Sequence, residues 1–515
     1  MVLSNIVIAA LKNVVGEKWF SNDPVILQAY SRTRTGLPIE GFPEAVLLPK
    51  STEEVQDIFR LANRYSFRVI PVGSFYFMTC VPMKPDYVLI DPKRMDKLWI
   101  DEKNMYAVVE PYVTFAQLQT EAMKRGLSCY ISGAGSQISV LANMVFQGAG
   151  LHGYRYGLAN RCMLALEWVL PTGELLQIGS ITNPKAGYFW GEGPGPDLRG
   201  LVKGIWGYAG GLGMCTKVAL KLFPWAGPKT LPITGISPEK LCKLPSEQFK
   251  FYIVKFPTLQ KVIDVIYELG HAEIGGKCTC WASAWYVFLL SLSKEQLFDF
   301  DEQRIFKDSL KRTLVFMIEG HKSKKQVAYE EKVFKEIIEE YGGVFLPEEI
   351  NKWFAERLSA ELIRSNLITR LWRVSGMFHP LKLGMDTLDH AVEIHQSTLK
   401  MVTKYVAKHS KSIYNDEGEG MWVNPYDLAH EGHAESALAP ADVKGQQRAQ
   451  TIGLQIFMDD LQNKRRSILG ILEPVIRIFG PTACNFHKYI YAIKKTFDPN
   501  NISNPPYPID LENEV

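Results

Sequence analysis

The sequence has no run of about twenty apolar residues, the length that spans a bilayer as a helix. It also lacks any Lys/Arg tract interleaved with aromatics, and a formal net charge of +3 gives no reason to expect a nucleic-acid partner. Its eight cysteines include no C-x-x-C pair and no spacing typical of zinc or iron–sulfur ligands, so no metal site is expected. Cys278 and Cys280 form a C-x-C, read as buried filling because a free cysteine packs as a small hydrophobe. The N-terminal apolar stretch has no basic residues ahead of it, and charges arrive at Lys12, Glu17 and Lys18. It reads as a surface-docked helix rather than a signal peptide, which makes the cytoplasm the default location.

What is present is the composition of a folded protein, 46% hydrophobic and 22% charged over 515 residues, a length that predicts two large domains. Ser51 and Glu54 match capping-box spacing ahead of apolar Val55, Ile58, Phe59 and Ala62. Arg68–Val72 predicts a buried strand that enters a loop at Gly73, and Tyr87–Ile90 and Tyr106–Val109 predict further strands. Thr114 opens a helix with Gln117 three residues on, and Gly126 is placed to stop it. Between residues 132 and 157, glycines stand at 133, 135, 148, 150, 153 and 157, a density that predicts backbone passing close to something. Leu166–Leu170 and Glu174–Ile178 predict a hairpin around Gly173, and Thr216–Leu222 alternates as a strand.

The texture changes after Trp225-Ala226-Gly227-Pro228, where a domain boundary is expected. Strands at Phe251–Phe256 and Leu314–Ile318 are each followed by a helix, predicting a sheet with helices on one face. The Lys/Glu-rich run from Lys322 to Glu340 reads as the solvated side of such a helix. Near the end, Thr496-Phe497-Asp498-Pro499-Asn500-Asn501 has no core periodicity and reads as a turn-dense loop.

The order of these features resembles the vanillyl-alcohol oxidase and p-cresol methylhydroxylase superfamily of FAD-binding oxidoreductases. Phe42–Pro71 looks like its opening βαβ unit, and Asn143, Gly148, Gly150 and Tyr156-Gly157 look like its second flavin-contacting loop. Gly195–Leu201 followed by Gly211–Lys217 is the most specific match, and Thr496–Asn501 the next. The resemblance implies an α+β fold of two domains. A discontinuous FAD-binding domain would be made of residues 1–225, in two α/β subdomains, and a C-terminal return at 481–515. A cap of sheet plus helices, residues 226–480, would carry the substrate pocket. It also implies flavin contacts at Pro71, Gly73, Ser74, Gly133, Ser136, Asn143, Gly148, Gly150, Tyr156, Gly157, Gly213, Cys215 and Asn501. Glycines there let backbone amides approach the cofactor's phosphates.

The chain departs from the family pattern in several places. Phe75, Tyr76 and Phe77 stand where small residues are usual, Ala142 replaces a glycine, and Leu158 falls where phenol-oxidising members carry an aspartate. Asn160 is the nearest polar residue and cannot act as a carboxylate base. Candidate proton acceptors are His379, His433 and Tyr489, with His430, Glu435 and Tyr491 beside them; Arg370 and Arg373 could bind a carboxylate. Cys80, Tyr76, His152 and His487 are positioned for covalent attachment but lie in no attachment motif, so the FAD is expected to be non-covalent. The implied reaction is oxidation of an alcohol or benzylic carbon, with aromatic alcohols or alkylphenols favoured over 2-hydroxy acids. The implied partners are a small-molecule substrate and an electron-transfer or paralogous flavoprotein subunit within an oligomer. The competing reading is a flavin-free structural subunit of a flavoprotein complex.

Overall fold

The computed structural model describes residues 3–31, 42–74, 87–146, 148–179, 187, 196–203, 210–236, 239–320, 323–373, 379–406, 412–463, 476–478, 480–505 and 507–513. The aromatic run Phe75–Phe77, the attachment candidates Tyr76 and Cys80, and Gly195 lie outside these residues.

The N-terminal helix Asn5–Val15 is capped by Ser4 and buries Val7, Leu11 and Val15 against the helix Thr52–Tyr65. That second helix is capped by Ser51, whose Oγ accepts from Glu54 N as the spacing predicts, while Glu54 Oε2 accepts at 2.8 Å from Lys50 N instead of the Ser51 N a full capping box would use. It covers a four-stranded sheet ordered Phe20–Ser21, Ala45–Leu47, Tyr87–Ile90, Arg68–Pro71, in which the last three strands run parallel. A five-stranded antiparallel sheet follows, ordered Leu98–Asp101, Tyr106–Val109, Met214–Lys221, Met163–Val169, Leu175–Ile178. Thr52 Oγ1 joins the two subdomains by donating to Glu167 Oε1 at 2.9 Å, and Gln56 and Asn63 donate to the carbonyls of Gly173 and Pro171.

The C-terminal return is built into this domain. Ser503 bridges Val69 in parallel, and Gly213 N donates to Ser503 Oγ at 2.7 Å. In the segment read as a turn-dense loop, Thr496 and Phe497 finish the helix Phe486–Phe497 and a turn follows in which Asp498 is buried and Pro499 and Asn500 are exposed; on either side of it Ser503 and Asn504 are buried, and Lys494 is fully buried against Asp498 at 2.7 Å. Alternation of side chains is absent there because polar caps, rather than an apolar face, fix the backbone. Asp498 accepts from Ile502 N and Ser503 N.

The cap is one seven-stranded antiparallel sheet ordered Val344–Phe345, Phe249–Lys255, Thr313–Glu319, Lys277–Trp281, Met421–Tyr426, Glu431–Leu438, His379–Asp386. The helices Leu259–His271 and Lys324–Glu340 pack on one face, burying Cys278, Cys280, Phe316, Val423 and Ala434 in an apolar cluster. That burial is what the C-x-C was read to mean. Strand side chains alternate, so Thr279, Trp281, Trp422 and Asn424 belong to the opposite face, which meets the FAD-binding domain.

Candidate active site

The seam between cap and flavin domain is formed by the glycine-rich loop 132–157 on one side and the strands Met421–Tyr426 and Glu431–Leu438 on the other. Register places Asn424 opposite His433 and Trp422 opposite Glu435, so the four share a face. Trp422 Nε1 donates to Thr279 Oγ1 at 3.0 Å and to Asn424 Oδ1 at 2.8 Å, and its ring sits 5.4 Å from those of Trp285 and His433. The hydroxyl of Tyr426 accepts from Gly150 N at 3.2 Å, joining cap to loop.

Close packing across this seam accounts for much of the glycine. A Cβ at Gly133 would stand 2.5 Å from the Trp422 ring, and one at Gly153 would enter the Tyr426 ring. At Gly148 it would collide with the Asn143 amide, at Gly150 with the Ile131 carbonyl, and at Gly157, where φ is +72°, it would stand 2.7 Å from the Asp427 carboxylate. The glycines were read as backbone cleared for a phosphate. The structure shows that protein atoms already require them, so their presence alone does not separate a flavin-loaded enzyme from a flavin-free subunit.

The seam is nonetheless chemically unfinished. Asn143 donates through Nδ2 to Ser132 Oγ at 3.0 Å while its buried Oδ1 has no protein partner. The same holds for His152 Nδ1, Asn424 Nδ2, Trp285 Nε1 and both ring nitrogens of His433. Burying such groups unpaired costs about 1–3 kcal/mol each, so their concentration at one seam marks a place for a polar, planar ligand. Toward the expected phosphate end, Ser74 Oγ accepts from Ser139 N at 3.2 Å, and Ser132 and Ser136 of the loop are buried. These donors, acceptors and small residues fit a flavin nucleotide.

The ionisable groups of the seam are tuned to be neutral. Burial pushes the His433 imidazole down to about 3 and the Glu435 carboxyl up to about 8. At neutral pH the pair is thus an uncharged imidazole beside a protonated acid, with His433 Nε2 3.5 Å from Glu435 Oε2. His152 is also held neutral by burial, and its Nε2 lies 2.9 Å from the Ile363 carbonyl, which makes that nitrogen the protonated one.

Other candidates fall elsewhere. Tyr489 is 66% exposed on the helix Phe486–Phe497, away from the buried seam groups. The strand of His379 pairs with Glu431–Leu438 as the outermost strand of the cap sheet, two strands from Trp422. Tyr156 stacks on Phe223 with ring centroids 3.6 Å apart, Cys215 packs into the apolar cluster of the five-stranded sheet, and Asn501 Nδ2 donates to Asp510 Oδ1 at 2.7 Å. Pro71 closes the parallel strand and touches the place a Cβ would take at Gly210, and a Cβ at Gly73 would meet Ala142 at 3.2 Å. His487 is buried against Gly480, and Leu158, in the expected place of an aspartate, is fully buried. Among the described residues no group of three His, Cys, Asp or Glu side chains could hold a metal ion, and no helix is long and apolar enough to cross a membrane. Sequence reading missed Trp422, Asn424 and Tyr426. Their two-residue spacing in Met421–Tyr426 was the available signal.

The family described as FAD binding domain matches residues 43–179. Among curated relatives are the glycolate oxidase subunit GlcD of Bacillus subtilis, 28% identical over 36% of this chain and 38% of that protein, and the D-lactate dehydrogenase of Archaeoglobus fulgidus, 29% identical over 35% and 38%. The flavoprotein subunit of 4-cresol dehydrogenase (hydroxylating) from Pseudomonas putida is 27% identical over 36% of this chain and 37% of that protein. These matches span less than two-fifths of the relatives' own length. Similar solved structures include substrate-bound p-cresol methylhydroxylase, with a TM-score of 0.74 at 17% identity over 99% of this chain and 98% of that one. The 4-ethylphenol oxidase of Gulosibacter chungangensis, in complex with isoeugenol, gives 0.72 at 17% identity over 98% and 97%. Residues 43–179 thus form an FAD-binding domain, and the chain has the fold of p-cresol methylhydroxylase over nearly its whole length.

Proposed function

We propose that this protein is an FAD-dependent oxidoreductase that oxidises an aromatic alcohol or alkylphenol at the seam between its cap and flavin domain. The observation that carries the reading is the neutral His433–Glu435 pair set among Trp285, Trp422 and Tyr426, opposite the loop 132–157. Oxidation removes a hydride and a proton, and FAD when bound supplies the hydride acceptor. The chain's part is the proton: His433, uncharged and buried, accepts it from the substrate hydroxyl, with the Glu435 carboxyl 3.5 Å from its Nε2. Aromatic walls favour a planar, uncharged substrate. Three buried cations of the cap are already engaged, Lys277 with Glu319, Lys307 with Asp301 and Arg370 with the Leu289 carbonyl, which speaks against a 2-hydroxy acid.

Flavin contacts are assigned to the backbone and small side chains of Pro71–Ser74, Ser132–Gly157 and Gly210–Cys215. Domain boundaries near 225 and 480 and a dissociable cofactor belong to the same proposal. An electron-transfer partner for reoxidation is drawn from the relative that is named as a flavoprotein subunit. Leu158 in place of a carboxylate favours a second reading, a flavin-free subunit of a flavoprotein complex. One preparation separates the two. Purified protein should be yellow, with bands near ~370 and ~450 nm, and should bleach anaerobically with a 4-hydroxybenzyl alcohol or a 4-alkylphenol. Protein that stays colourless after incubation with FAD would overturn the enzyme reading, and bleaching by D-lactate alone would overturn the substrate class.

A further inference from the structure

The cap reaches the glycine-rich loop at a second place, away from the Trp422 strand. The helix Glu348–Arg364 ends on Ser365, whose φ of 49° and ψ of 60° put a non-glycine residue in the left-handed region. Ser365 N donates to the Glu361 carbonyl at 2.8 Å, a normal helix closure, but the chain then turns sharply instead of continuing. The turn is held by the Glu361 side chain. Its Oε2 accepts from Asn366 N at 2.7 Å and Leu367 N at 2.6 Å, and the residue is 2% exposed.

What the turn presents is a set of contacts to the other domain. Ser365 Oγ donates to the Gly133 carbonyl at 3.2 Å, and the Ser365 carbonyl accepts from Ser136 N at 3.1 Å. Two residues earlier, the Ile363 carbonyl takes Gln119 Nε2 at 2.7 Å and faces His152 Nε2 at 2.9 Å. Two positions of one helix end, Ile363 and Ser365, thus grip the loop at Gly133, Ser136 and His152. No other cap segment does this through its own backbone carbonyls at both ends of the loop, among the described residues. A left-handed non-glycine residue costs on the order of 1 kcal/mol or more and persists only where its surroundings over-determine it. Here the over-determination comes from Glu361 on one side and the loop on the other.

We propose that Glu361 and Ser365 are positioning residues for the flavin: they lock the helix end that fixes the Gly133–Ser136 backbone, so the cap sets how tightly the FAD-binding domain holds its cofactor. The inference rests on the reading of residues 132–157 as a flavin-contacting loop. Neither residue touches the reacting atoms. The interaction lies in acceptor oxygens rather than in net charge, so Gln can replace Glu361 through its carbonyl oxygen and Ala cannot.

The test is FAD dissociation measured by flavin fluorescence on the full-length protein, alongside the melting temperature of the apoprotein. E361A and S365A are expected to raise the FAD Kd by roughly tenfold or more, the effect of losing hydrogen bonds to a charged or strained group, while E361Q stays within about threefold of the parent. V327A serves as the control. Val327 is buried on the helix-covered face of the cap sheet, so its truncation destabilises the cap without touching the turn. Equal loss of FAD affinity in V327A at an equal fall in apoprotein melting temperature would overturn the proposal, as would E361Q behaving like E361A. A parent protein that binds no FAD at all would instead overturn the proposed function.

Discussion

His433 Nε2 stands 3.5 Å from Glu435 Oε2 on the cap face turned toward the glycine-rich loop, and burial drives the two groups in opposite directions. The imidazole, held at about 3, is a neutral acceptor across the whole working range, so it does not set the pH profile. Glu435, held at about 8, does. Flavin reduction by substrate is expected to change between pH 7 and 9 with a single apparent ionisation near 8, and this step should vanish in E435Q. Stopped-flow reduction across pH 6–10 measures it, and an unchanged inflection in E435Q would remove Glu435 from the pair.

The same shift makes a stability prediction with a definite sign. The folded-state value of Glu435 lies above the ordinary 4.5, so its stabilising contribution is fully present below 4.5 and is lost as pH rises through 8. E435Q carries no such penalty. The stability of E435Q relative to the parent, read from denaturant melts, should therefore rise steadily from pH 5 to pH 8, by at most about 1.4 kcal/mol per pH unit, then level off. A difference that is flat with pH would mean that the carboxyl titrates normally.

If His433 takes the substrate proton, H433A should slow flavin reduction by about 10²–10⁴-fold, the usual worth of a positioned base. On the proposed reading His433 faces substrate and not flavin, so FAD affinity should change little. Anaerobic reduction kinetics and flavin fluorescence separate the two effects. Parallel loss of cofactor and rate would assign His433 a structural part instead.

Much of this architecture can be read from the chain, and the exceptions have physical causes. The caps at Ser51 and Thr114 are local, so sequence spacing predicts both; Thr114 and Gln117 form the full reciprocal box, while at Ser51 the hydroxyl accepts from Glu54 N and the Glu54 carboxylate takes Lys50 N instead of Ser51 N. The glycine density between 133 and 157 is equally visible, but its cause is not local. Gly133 is opposed by Trp422 and Gly153 by Tyr426, residues more than 270 positions away that only the fold brings near. His433 is legible as a histidine near Glu435, whereas its neutrality depends on the strands that bury it. The Glu361 turn gives no signal, since a glutamate near a helix end reads as a solvated surface residue until its partners at 366 and 367 are seen.

Glycine packing across the seam can be probed directly. A Cβ at Gly153 enters the Tyr426 ring, so G153A should cost about 1–3 kcal/mol by overpacking and loosen the Gly150–Tyr426 contact. Adding Tyr426→Leu should recover part of the stability but not the hydrogen bond. Denaturant melts of the single and double variants test this, and a G153A melt within 0.5 kcal/mol of the parent (about the scatter of neutral substitutions) would show that the cap yields freely.

The C-terminal return hangs on one buried ion pair. Lys494 Nζ donates to the carbonyls of Gly211 and Ser503 at 2.5 Å each and meets Asp498 at 2.7 Å, while Asp498 also holds the amides of Ile502 and Ser503. Burial pushes the Lys494 ammonium down, and Asp498 opposes that shift. D498N strands the ammonium without its counter-charge and leaves one acceptor oxygen for two amides. Breaking a buried pair from one side typically costs about 3–5 kcal/mol, so the urea midpoint of D498N should fall sharply. Because Lys494 also grips Gly211, FAD should be released at lower denaturant than in the parent. Removing both charges in K494M/D498N should recover part of the loss, since the stranded ammonium is gone. A D498N variant as stable as the parent would mean that the terminal segment is held by its backbone bridge to Val69 alone.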